Sequence, residues 1–150
     1  MKKREKRNML TFTSSELERA YKSAFKAFEE AQKQNKQTNA HRLLLFYAVE
    51  TGLKTVFLNR KGKKDSEGQF EEIKHDLNEL MERLGINGLC LIEDIQLKSL
   101  KFPKKRQRNT KSSDLNQIWR YGAEAKQPTD EELEQQLLKI KGWIQGELKE

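Results

Sequence analysis

The chain has 150 residues, 35% of them hydrophobic and 35% charged, and its 30 Lys and Arg against 23 Asp and Glu give a formal charge of +7. That length supports one domain with a modest core. A mean hydropathy of −0.96 and the lack of any apolar run near the roughly 20 residues of a membrane helix argue against an integral membrane protein, and one cysteine argues against a disulfide framework or a zinc ribbon.

In chain order, residues 1–12 read as a basic flexible tail, with Lys2, Lys3, Arg4, Lys6 and Arg7 against Glu5. No apolar signal core follows, so the expected location is the cytoplasm. Residues 13–150 read as one domain. Its first helix is expected to start near Ser14 or Ser15, where Ser15 and Glu18 have the spacing of a capping box. Leu17, Tyr21, Ala24, Phe28 and Ala31 then form one apolar stripe.

A second helix is expected over about Asn39–Lys61. Its apolar residues exceed a single stripe, which implies contacts on several sides, and Gly62 suits a left-handed stop. A third is expected over about Phe70–Leu84. Residues 86–100 are read as helix in preference to a strand pair. Residues 101–113 carry Lys101, Lys104, Lys105, Arg106, Arg108 and Lys111 with no anion, and with Pro103 they read as a long basic loop. A further helix should begin near Ser113 and run toward Gly122. The last begins after Pro128, where Thr129 and Glu132 repeat the capping pattern and Leu133, Leu137, Ile140, Ile144 and Leu148 give its buried face. The expected fold class is all-α, an up-and-down bundle of four long or five mixed helices.

Chemistry-bearing motifs are sparse. His41 and His75 lie far apart, no metal-ligand spacing occurs, and neither a nucleophile elbow nor a phosphate loop is present. Neither a metal nor a cofactor is expected. Cys90, between Leu89 and Leu91, is expected to pack as a small hydrophobe. His75 and Asp76 are expected to satisfy backbone groups at a helix start. Lys104, Lys105, Arg106 and Arg108 are candidate phosphate contacts, with salt-sensitive affinity for nucleic acid as the consequence.

Three segments in order carry a resemblance. They are Ala48-Val49-Glu50-Thr51-Gly52-Leu53-Lys54 in a long helix, His75-Asp76-Leu77-Asn78-Glu79-Leu80 at a helix start, and Trp119-Arg120-Tyr121-Gly122 before a final capped helix. Together they resemble the A-x-E-x-x-L-K, H-D-L-x-x-L and A-R-Y-P stretches of the HEPN superfamily, over roughly residues 41–148. The resemblance implies a HEPN-like helical bundle that binds a nucleotide or RNA, or a partner protein, and that often dimerises. It also implies a setting in a microbial defence or toxin–antitoxin system. Many HEPN proteins are metal-independent ribonucleases with an Arg-x(4–6)-His motif. Here the slots before His41 hold Gln34, Asn35 and Lys36, and those before His75 hold Gly68, Gln69 and Phe70, while no histidine follows Arg120.

The noncatalytic branch is therefore the expected one, with Lys54, His75, Arg120 and Tyr121 as candidate ligand contacts. Two alternatives stay open. One is a divergent ribonuclease in which His75 and Arg120 meet in space. The other is a structural, dimerising subunit that uses Phe46, Tyr47 and Phe57.

Overall fold

A computed structural model describes residues 10–100 and 106–150, leaving aside the side chains of Leu100 and Arg106. Five α-helices carry most of the described residues: α1 (Ser14–Lys33), α2 (Asn39–Lys61), α3 (Leu77–Arg83), α4 (Leu115–Arg120) and α5 (Asp130–Glu147). Three strands, β1 (Asp94–Leu100), β2 (Arg106–Lys111) and β3 (Ala125–Gln127), form one antiparallel sheet in the order β2-β1-β3.

Helix α1 starts at Ser14, as expected, but its cap lies two residues before the expected Ser15. Thr13, not Ser15, is the N-cap; its hydroxyl accepts from the Glu16 amide at 3.1 Å, and Glu16 accepts from the Thr13 amide at 3.0 Å. Each bond satisfies a backbone amide that the first turn cannot pair. Leu17, Tyr21 and Phe28 then point at α2.

Helix α2 spans the expected residues. At its start, Nδ1 of His41 accepts from the Thr38 amide at 3.0 Å, and at its end Gly62 turns left-handed at φ 64°. It packs against α1, α3, α4 and α5, which is why its apolar residues do not form a single stripe. At Gly52 a β-carbon would stand 2.9 Å from Ile144 and 3.0 Å from Tyr21, so the missing side chain lets α1 and α5 close on α2. The fully buried side chains include Phe28, Leu45, Phe46, Leu53 and Leu58, each worth about 1.5–3 kcal/mol relative to exposure.

The sheet departs from the all-α expectation. Residues 94–100 are a strand, not a helix: Ile95 and Leu97 are buried, with Asp94, Gln96 and Lys98 between them on the other face. That alternation has a period of two. The segment expected as a basic loop supplies β2, paired with β1 from Asp94↔Lys111 to Leu100↔Arg106, and then a 3-10 turn at Ser112–Asp114. Helix α3 is shorter than expected, because residues 71–75 form turns and Asp76 caps the helix by accepting from the Glu79 amide at 3.1 Å.

Polar contacts fasten the sheet to the helices. Asn78 of α3 receives the Leu91 amide at 2.8 Å and donates to the Leu91 carbonyl at 3.0 Å. Asp130 at the start of α5 accepts from the Trp119 indole at 2.8 Å and from the Ala125 amide at 3.2 Å. The first contact ties α4 to the start of α5, and the second ties β3 to the same carboxylate.

Candidate functional site

The middle of α2 presents Tyr47, Glu50 and Lys54 at spacings of three and four residues, which places them on one face of the helix. Glu50 is buried, 6% exposed. A carboxylate in that position needs a partner to offset lost hydration, and the partner comes from 25 residues downstream: Nδ1 of His75 stands 2.7 Å from Glu50 Oε2. The loop reaches α2 through Lys74, whose φ of 54° lies in the left-handed region. A non-glycine residue there costs roughly 1 kcal/mol. The turn aims His75 back at α2 while the next residue, Asp76, caps α3.

The imidazole is only partly covered, with its side chain 45% exposed. The Glu50 hydrogen bond raises its pKa above the ordinary imidazole value, and burial together with the nearby charges of Lys54 and Arg120 pushes the other way. Glu50 engages Nδ1, which leaves Nε2 as the ring atom that can meet a ligand.

Arg120 reaches the same place from the last turn of α4, where its guanidinium donates to the Tyr47 hydroxyl. Tyr121, 77% exposed, lies beside it, and Gly122 then reverses the chain at φ 76°. Lys54 holds its Nζ 5.2 Å from the centre of the Phe70 ring. Tertiary structure thus brings His75 onto the buried Glu50 carboxylate and Arg120 onto Tyr47, residues that share a face of α2 with Lys54. Glu50 lay within the quoted motif but was not among the candidate contacts. Its signal was the shared helix face with Tyr47 and Lys54, and nothing local announces its histidine partner.

The described part of the basic segment lies in β2 and the turn that follows it. Arg108 sits on β2 and donates to the Lys98 carbonyl at 3.2 Å. Lys111 pairs with Asp94, and Lys98 with Glu124. Two of these cations therefore carry local counter-charges. Lys104 and Lys105 lie outside the described residues, as does the side chain of Arg106. Cys90 is exposed, contrary to the expected apolar packing. Among the described residues no group of three or more His, Cys, Asp or Glu is placed to hold a metal ion, and no described helix is long and apolar enough to cross a membrane.

No protein-family model, curated protein or solved structure matches the chain.

Proposed function

We propose that the protein is a HEPN-like module that binds RNA through its phosphates, with Lys54, His75 and Arg120 as the contact set. The supporting observation is that one face of α2, with Tyr47, Glu50 and Lys54, receives His75 on Glu50 from the turn before α3 and Arg120 on Tyr47 from the end of α4. A phosphodiester is an anion that accepts charge-assisted hydrogen bonds, and Arg, Lys and protonated His are its usual donors. Glu50 orients the imidazole and keeps it cationic to higher pH without cancelling the excess of positive charge. The basic segment, with Lys104, Lys105, Arg106 and Arg108, adds a second, sequence-independent set of phosphate contacts.

The test is fluorescence anisotropy with a short labelled single-stranded RNA. Binding is expected at about 50 mM salt and is expected to weaken steeply by about 200 mM. His75→Ala and Arg120→Ala should each lower affinity about tenfold, as expected for loss of one charge-assisted contact. Unchanged affinity in both variants, or no binding at low salt, rejects the function.

The Glu50–His75 contact specifically favours one alternative. A carboxylate on Nδ1 with Nε2 open is the arrangement of a general base. Nε2 would take the proton of a ribose 2′-hydroxyl as that oxygen attacks the adjacent phosphorus and the bond from phosphorus to the 5′-oxygen breaks, and the imidazolium would then give its proton to the leaving 5′-oxygen. Lys54 and Arg120 would stabilise the charge that builds on the phosphate. Release of a 2′,3′-cyclic phosphate in the presence of EDTA, lost in His75→Ala, selects this ribonuclease over the binding module. Stable RNA binding without that product selects the module.

A further inference from the structure

Lys54 belongs to two places at once. It is part of the cationic cluster, and it also lines a cavity of about 330 Å3 together with Phe12, Leu17, Ser66, Glu67, Phe70 and Glu71. The floor of this cavity is rigid. Phe70 is buried and packs on Phe57 with ring centres 5.3 Å apart. The wall is tied in place as well, since the Phe12 amide donates to Ser66 Oγ at 2.8 Å and the Ser66 amide donates to the Phe12 carbonyl at 2.8 Å. Glu67 and Glu71 are exposed at the rim. The cavity thus combines aromatic and aliphatic walls, two carboxylates and one ammonium, and the ammonium belongs to a residue one helical turn from Glu50, the partner of His75.

We infer that this cavity is a nucleobase subsite and that its carboxylates select guanine; the inference rests on the phosphate contact proposed above. In a nucleotide one sugar separates phosphate from base. A phosphate held by Lys54, His75 and Arg120 therefore leaves its base within reach of a cavity that shares Lys54. Phe12, Phe70 and Leu17 offer the apolar surface on which a base packs. Guanine presents two adjacent donors, N1–H and the N2 amino group, which one carboxylate accepts as a parallel pair. Adenine and cytosine place a ring acceptor beside their amino group, and uracil has one N–H between two carbonyls. A carboxylate repels those acceptors, so Glu67 and Glu71 both favour guanine and disfavour the other three. The same carboxylates repel phosphate, which keeps the backbone on the cationic side.

The test titrates the full chain with GMP, AMP, CMP, UMP and ribose 5-phosphate at about 50 mM salt, followed by NMR or calorimetry. GMP is expected to bind about tenfold more tightly than the other three nucleotides, the discrimination of one good bidentate contact. Ribose 5-phosphate, with no base, should bind more weakly than GMP. In the double variant Glu67→Gln/Glu71→Gln the preference for GMP should vanish, while ribose 5-phosphate binds as well as before or better because two negative charges are gone. Both residues are exposed, so the variant should fold. Phe12→Ala should weaken all four nucleotides and leave ribose 5-phosphate unchanged. Equal binding of the four nucleotides, or a preference for GMP that survives in the double variant, overturns the subsite but leaves the phosphate contact standing. If neither ribose 5-phosphate nor any nucleotide binds, the phosphate contact falls and the subsite with it.

Discussion

Arg42 and Glu50 stand about two turns apart on α2, both buried and both charged, yet their surroundings differ. Arg42 is closed in. Its Nε donates to Glu134 at 3.1 Å, one terminal nitrogen donates to Asn39 at 2.8 Å, and the other lies 3.6 Å from Glu131. Glu134 is itself 3% exposed, so both partners of the main pair are withdrawn from water. Glu50 is open on one side, because its partner His75 leaves nearly half of its side chain in solvent. A fully enclosed pair fixes the docking of α5 on α2 and has no ring nitrogen or guanidinium edge left for a ligand. A half-open pair gives up some of that rigidity and keeps a chemically competent face. The same helix thus carries a structural charge contact at its start and a functional one at its middle, and burial of the second partner is what separates them.

The sharpest way to break this comparison is to remove one partner from each pair. Glu134→Ala leaves the buried Arg42 charge with only its longer carboxylate contact, to the exposed Glu131, and should cost about 3 kcal/mol in urea-denaturation stability. His75→Ala should cost less, since loss of a ring that is half in water opens a path for solvent to reach Glu50, and should act mainly on RNA affinity. If the two substitutions destabilise equally, the division between structural and functional pairs is wrong.

Gly52 gives the next largest effect. Gly52→Ala inserts a β-carbon against Ile144 and Tyr21, and overpacking of this kind costs about 1–3 kcal/mol. Denaturation midpoints check it, and a neutral result would mean that α5 moves aside easily. A smaller loss, about 1 kcal/mol, is expected for Thr129→Ala, which removes the hydroxyl that accepts from the Glu132 amide. Because that cap lies near Asp130 and not near Glu50, RNA affinity should not change.

The pH dependence sharpens the open pair. Because the folded value for His75 is raised, the contact with Glu50 contributes fully below the ordinary imidazole value of about 6.5. That contribution disappears as pH rises through the raised, folded value. RNA affinity should fall across the same window. A ring titration of His75 by NMR is expected to show an elevated pKa that drops in Glu50→Gln, and an unshifted ring would remove the electrostatic basis of the site.

Much of the helical framework was legible locally. Asn39–Lys61 could be bounded because Gly62 terminates it by backbone geometry, and Thr129 with Glu132 marked the start of α5 because a cap is made by residues three apart. The sheet was harder to read. Strand β1 alternates over only a few residues, and its pairing with β3 joins Leu97 to Ala125 across an intervening strand, turn and helix. Local propensity is weak for such short strands, and non-local pairing decides them. Among the candidate contacts, Lys54, His75, Arg120 and Tyr121 were named from motifs, whereas Glu50 as the partner of His75 was not.

Amino-acid order alone determined the bounds of α2, the start of α5, the faces the long helices bury and that cations outnumber anions, because those properties depend on neighbours within one or two turns. Tertiary packing alone decided that His75 meets Glu50, that Arg120 arrives beside Tyr47 and that Lys54 borders both a cationic cluster and a cavity. These contacts join segments that are distant in the chain. Their energies become available only after the core has closed and brought a buried carboxylate within reach of the groups that compensate it.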